Sequence, residues 1–569
     1  MKTMIYNLYF KTWLMRRLIA LSICMMCLFT ASANNISIQK VSITDTNRIA
    51  KTASIRFSIS WDNSWRDSIN WDAAWIFIKY REPKDSVWHY RHMTLTAAGT
   101  AAGSGTAAMK FAFPPDNKGV FYYRQTIGSG NIKMDSVKLV WNYGADSVKA
   151  IDSVEVKVIA TEMVYVPGGN FCIGDGNGSN GMMTSQNSFQ LKNALNNYVT
   201  ITDKWSPMVI TPTNSSYYYG GDDAILINSG IRISGLGGLD ISGDKVAEYP
   251  DFPTGYRSFY SMKYPVTQGQ YADFLNTLSL KDNPWNYMYD SSHPKKINIK
   301  YDFALQNLDP FYNSIPVDPQ RHTILLDSNN EKYTVSRPDR AFGRGNNINY
   351  YLSFSDWAAL RPMSEFEYEK ACRGPLPPSN KSYNYNYNYN NTSDTTYSWG
   401  GLEKAWGNDT TLPVWRTNYT PSFSNIENGT EFIINYNIYK RLFDLTSNVQ
   451  GGDGGTGPYR VGIFATDTSS RISSGASYYG IMDLSKNISQ TVISAGNSSS
   501  RTLSYKKHGD GMLTYNGLSD SNEFLTPPNN MGIYNNIYLY KQYSVSDRST
   551  YNSPQFTGFR SVRTAPTDN

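Results

Sequence analysis

Between residues 35 and 160 the chain repeatedly alternates apolar and polar side chains with a period of two. The runs ISIQKVSI, SIRFSISW, AWIFIKYR, WHYRHMTL, KGVFYYRQ, SVKLVWNY and SVEVKVIA are short and rich in β-branched and aromatic residues. Turn residues (DTN, PKD, PPDN, GSGN, GADS) separate them. Seven such strands over about 125 residues predict a β-sandwich of immunoglobulin or fibronectin type. Within this region the Gly/Ala/Ser/Thr stretch from Ala97 to Ala108 reads as a flexible loop.

From Met163 on, glycines and asparagines multiply and the strand rhythm breaks. Charged residues make up only 18% of the chain, aromatics 14%, with 43 Tyr, which favours a β- and loop-rich fold over long charged helices. Two helices stand out. The first spans Thr267 to Leu280: Thr267 and Gln270 have capping-box spacing, and Tyr271, Phe274, Leu275 and Leu278 share one face. The second lies in ALRPMSEFEYEKACRG (359–374). Ser364 can cap the N3 amide, Glu367 can return the bond, and Gly374 supplies the stop. Glu365, Glu367 and Glu369 therefore have structural reasons to be there, the first turn of a helix favouring acidic side chains. SNKSYNYNYNYNNTSDTTYS (379–398) reads as a surface insertion, and GGDGGTG (451–457) and HGDG (508–511) as loops.

At the N-terminus, Lys2, Lys11, Arg16 and Arg17 precede an apolar run from Leu18 to Phe29, and Ala31-Ser32-Ala33 fits a cleavage site. Residues 1–33 are therefore expected to be a secretory signal peptide, and the protein to be exported to the periplasm, cell surface or medium. Removing four positive and no negative charges takes the net charge from +6 to +2, which leaves no footprint for nucleic acid. No other apolar run approaches a membrane span. Ile23 and Met26 before Cys24 and Cys27 argue against lipidation. Cys172 and Cys372 then remain; an exported chain can pair them, while their apolar surroundings favour buried free thiols.

Six segments, in order, resemble the formylglycine-generating enzyme (sulfatase-modifying factor) family. MVYVPGGNFCIGD (163–175) is similar to its opening strand, YPVTQGQYADFLN (264–276) to its first helix and LRPMSEFEYEKACRG (360–374) to its second. YSWGG (397–401) is similar to its Y-P-W-G turn, YYGIMDLSKNISQTV (478–492) to G-L-x-D-M-x-G-N-V-W-E-W, and FTGFRSVRTA (556–565) to its closing strand. The resemblance implies a variant of the C-type lectin fold. The expected fold is α+β: a signal peptide at 1–33, an all-β sandwich at 34–160 and a loop-rich, sulfatase-modifying-factor-like domain at 161–569.

Copper-dependent members of that family oxidise a substrate cysteine with two cysteines near the C-terminus of the domain, where thiolates suit Cu(I). No cysteine lies between Ser489 and Asn569. Cys372 aligns with a family alanine and Cys172 with an apolar position, so the resemblance does not extend to the formylglycine reaction. Iron-dependent relatives bind their metal through histidines. His89, His92, His293, His322 and His508 show no ligand spacing. G-x-S-x-G, Walker A and H-E-x-x-H sequences are also missing. Calcium-binding members use the G-N-V-W-E-W segment. Here Asn487 is kept, Lys486 replaces the glycine and Gln490 the glutamate, so Asn487 and Asp483 are the candidate calcium ligands, with no other cofactor implied. The expected function is that of a non-catalytic binding or structural module with a protein or glycan partner on the cell envelope or outside. The Asn/Tyr/Ser-rich segment 529–553 has side chains suited to an adaptable surface. The competing expectation is an enzyme of the wider family, formylglycine-generating or a non-haem-metal oxidoreductase.

Overall fold

The alternating region forms ten strands: β1 (Ser37–Asn47), β2 (Thr52–Arg66), β3 (Asp72–Arg81), β4 (Arg91–His92), β5 (Leu95–Ala101), β6 (Ser104–Gly105), β7 (Met109–Ala112), β8 (Val120–Arg124), β9 (Gly128–Asn142) and β10 (Glu155–Val166). The structure is a computed structural model that describes residues 35–82, 90–149, 151–174, 189–190, 198–210, 231–240, 244–247, 250–277, 324–326, 333–335, 338–342, 349–375, 460–462, 476–484, 489–493, 533–537 and 557–566. The leader, the Asn/Tyr insertion, the YSWGG turn, the glycine loop, HGDG and most of 529–553 lie outside the described residues.

Strands β1, β2, β9 and β5 form one antiparallel sheet, with β6 also on β9. The segment Ala97–Ala108, expected to be a loop, is thus largely edge strand. Its small residues serve a close approach: a Cβ on Gly103 or Gly105 would lie 2.3 Å from Asp135 O or 2.0 Å from Lys133 O of β9.

The second sheet does not stop with the alternating region. Its order is β7-β8-β3-β10, then Phe259–Met262, Ser561–Thr564 and Arg361–Pro362. β10 is the hinge of this arrangement. Its residues 155–164 pair with β3, and Met163–Val166 pair with Phe259–Met262 on the other side. One continuous strand therefore runs through the 160/161 change of sequence texture.

This sheet is covered on both faces, and the side-chain alternation of β3 shows it. Ala74, Ile76, Ile78 and Tyr80 join Val120 and Tyr122 in a core shared with the first sheet. Ala73, Trp75 and Phe77 join Phe121 and Tyr123 in a second core, with residues from beyond position 160. A strand buried on both faces reads as a near-continuous apolar run, which is how AWIFIKYR reads.

Among the described residues the chain is mostly β, with a 3-10 turn at Ile151–Ser153 and three short α-helices: α1 (Gln268–Leu275), α2 (Asn349–Trp357) and α3 (Glu365–Arg373). α1 starts at the expected Thr267–Gln270 capping box but ends at Leu275. Its Tyr271, Phe274 and Leu275 are buried, whereas Leu278 lies outside the described residues. α3 has Ser364 as N-cap with Glu367 returning the bond, and Gly374 at φ +67 ends it. Glu367 also makes a buried two-pronged pair with Arg361, at 2.7 and 2.5 Å. Lys370 Nζ reaches back from α3 to the carbonyls of Gly255 (2.6 Å) and Gly169 (3.3 Å), tying two bends to the helix. α2 was not expected from the sequence. Its Tyr351, Phe354 and Trp357 enter the second core, and Trp357 meets Phe77 of β3 edge-on at 5.1 Å.

Candidate functional site

Three charged residues are buried on neighbouring strands: Asp72 opens β3, Glu162 lies within β10, and Lys263 follows Phe259–Met262. Their strands are adjacent, so the three meet in the interior. Asp72 accepts Ser64 Oγ and the Trp65 amide, both at 2.9 Å, on one oxygen and Trp61 Nε1 at 3.0 Å on the other. Lys263 Nζ lies 2.8 Å from Glu162 Oε2 and 4.0 Å from Asp72 Oδ2. Glu162 Oε1 has no partner among the described residues. Burial raises the pKa of both acids against the pull of Lys263. For Lys263, burial works against the ammonium, but Glu162, Tyr264 and Asp72 outweigh it and hold its pKa above the ordinary lysine value. Two carboxylates around one ammonium give a cluster of one net negative charge when all three are ionised.

A second polar group adjoins the first. Lys263 also accepts at its backbone carbonyl from Arg560 Nη1 (3.2 Å) and from the Met482 amide (2.8 Å). Arg560 further donates to Met262 O (2.8 Å), Met482 O (2.8 Å) and Gln490 Oε1 (2.6 Å). Gln490 Nε2 in turn donates to Asp483 O at 3.0 Å. Burial pulls the Arg560 pKa down to about 10. Asp483, one of the two expected calcium ligands, is buried with φ +56 and accepts the Gly462 amide on Oδ2 at 2.7 Å. Asn487, the other, lies outside the described residues. The loop 476–484 also touches the alternating region directly: Asn70 Nδ2 donates to Tyr479 O at 2.6 Å.

Cys172 and Cys372 are both free and buried. Cys172, on the strand Phe171–Gly174, has Thr200 Oγ1 at 3.6 Å, and burial raises its pKa. Cys372, on α3, is raised far more by the same cause. Neither is held as a thiolate, the form that attacks or binds a soft metal. Of the histidines, His92 is described: it is buried against Phe77, and burial together with Lys79 pushes its pKa well below the ordinary value. Among the described residues no group of three His, Cys, Asp or Glu is placed to hold a metal.

The arrangement organises chain segments; the bonds its acids and bases make go mainly to one another, to neighbouring side chains and to the backbone. Sequence reasoning missed the Asp72–Glu162–Lys263 cluster. The signal available was weak: each charge stands next to apolar residues, but β3 and β10 carry other charges too, Lys79 and Arg81 on one and Glu155 and Lys157 on the other. It also missed that Gln490 and Arg560, quoted as separate segments, bond each other.

A family model described as a sulfatase-modifying factor enzyme 1-like domain matches residues 218–565, over half of the chain. The search of curated proteins found no match.

Proposed function

Because the chain belongs to the sulfatase-modifying factor enzyme 1-like domain family through residues 218–565, we propose that it works as an exported, non-catalytic binding or structural module. The observation that carries this reading is the state of its thiols. The family's copper chemistry, as the resemblance implies it, needs two neighbouring thiolates near the end of the domain. This chain has no cysteine after Cys372, and Cys172 and Cys372 are buried with raised pKa values. The reading takes residues 1–33 as a cleaved leader and residues 161–569 as a C-type lectin variant. The partner it implies is a protein or glycan on the cell envelope or outside.

The test is copper analysis of the purified mature protein combined with an oxidation assay on a peptide carrying a sulfatase-type cysteine motif. The expected result is no stoichiometric copper and an unmodified peptide. Stoichiometric copper with conversion of the peptide cysteine to formylglycine would replace the binding reading with the enzymatic one. Glycan-array and envelope-protein binding by the same preparation, compared with a chain whose segment 529–553 is replaced, addresses the contact surface.

A further inference from the structure

Arg560 is buried to 1% exposure; the Asp483 charge favours its cation, but none of the hydrogen bonds its guanidinium makes goes to a carboxylate. What it has instead is a cage of neutral oxygens: Gln490 Oε1, Met262 O, Lys263 O and Met482 O, from three separate segments. We infer that the Arg560 guanidinium is the cation that organises the segments 259–263, 476–484 and 489–493, and that Asp483 and Gln490 hold no divalent cation.

Where the oxygens point leaves little room for a metal. Calcium takes six to eight oxygens, with carboxylates supplying charge. At this position most of the oxygens already receive donors, Asp483 Oδ1 being the one to which no hydrogen-bond donor is directed among the described residues. Gln490 Oε1 and Met482 O face Arg560, and Asp483 O accepts Gln490 Nε2. Asp483 Oδ2 accepts the Gly462 amide, and Leu484 O accepts the Tyr368 hydroxyl at 2.5 Å. A calcium ion would have to share or displace these bonds and sit beside a buried guanidinium. Gln490 fits the role because an amide can accept from Arg560 and donate to Asp483 O at once; a carboxylate can only accept. The calcium expectation drawn from the sequence thus does not fit Asp483 and its described neighbours. A tethered cation holds the loop at any calcium concentration.

Thermal unfolding of the full mature chain, with EDTA and with millimolar calcium, tests this. The expected midpoint is the same in both, and calorimetric titration with calcium alone shows no binding that Asp483→Asn removes. Arg560→Lys, which keeps the charge but loses the fork, is expected to lower the midpoint by several degrees. If that variant does not fold, Gln490→Glu serves: it restores a carboxylate and should still show no calcium-dependent midpoint, because Arg560 stays in place. A calcium-induced rise that Asp483→Asn abolishes, a rise gained by Gln490→Glu, or an unchanged midpoint in Arg560→Lys would each overturn the inference. A calcium-induced rise that survives Asp483→Asn places the ion elsewhere and supports it.

Discussion

Arg563 and Asp116 form an ion pair of 2.5 Å between side chains that are 3% and 5% exposed, 447 positions apart in the chain. Arg563 also donates to the Ala359 carbonyl and lies 4.9 Å from the Trp75 ring centre. A pair this buried contributes mainly through what its loss exposes, since removing one partner leaves an uncompensated charge inside. Asp116→Asn is expected to destabilise by about 3–5 kcal/mol, read from the midpoint of urea unfolding. A change below about 1 kcal/mol, the range of an exposed pair, would mean that water reaches Arg563.

Trp75 sits at the centre of the second core and donates Nε1 to Ala358 O at 2.8 Å. Trp75→Ala should cost about 3–5 kcal/mol. Because the ring packs residues from both sides of position 160, the loss should move one transition seen identically by tryptophan fluorescence and far-UV circular dichroism. Two separated transitions, only one of them shifted, would contradict the shared core.

Lys263→Met leaves Asp72 and Glu162 buried without their ammonium. In the native protein both acids already have raised pKa values, so each contributes stability at low pH that is lost as pH climbs above the ordinary carboxylate range. Lys263 opposes that loss, and with its own pKa raised its ammonium stays charged throughout the acid and neutral range, so the pairing fades only as the acids take up protons. The variant should therefore be much less stable than the parent at pH 7, and the deficit should narrow toward pH 4–5, as unfolding at a series of pH values would reveal. A deficit independent of pH would show that the acids are not the groups responsible.

Cys172 and Cys372 should be silent to a thiol reagent in the native protein and titrate as two thiols once it is unfolded, because burial both blocks access and disfavours the thiolate. Rapid modification of either residue under native conditions would remove the observation on which the non-catalytic reading stands.

The sequence made local structure legible and left long-range assembly hidden. The Ser364–Glu367 and Thr267–Gln270 boxes could be read because each depends on residues three apart. The strands of the alternating region could be read for the same reason: their signal has a period of two. α2 was hidden because NYYLSFSDW is poor in strong helix formers; it is held by Tyr351, Phe354 and Trp357 packing on distant partners. The Asp72–Glu162–Lys263 cluster depends on strands brought side by side, and Gln490–Arg560 joins residues 70 apart. Neither carries a local pattern. Asp483 was found as a candidate from a motif, but what its carbonyl and carboxylate bond could be learned only from the neighbours that folding delivers.

β10 has a practical consequence for anyone wishing to divide this protein. A fragment begun at residue 161 would lose Glu155–Ala160 and, with β3, the surface on which Trp357 rests; a fragment ended at 160 would keep β3 with its Trp75 face bare. The two regions cannot be exchanged like cassettes. Any recombination or truncation that respects the fold must carry β3, β8 and β10 together with the segments that close over them.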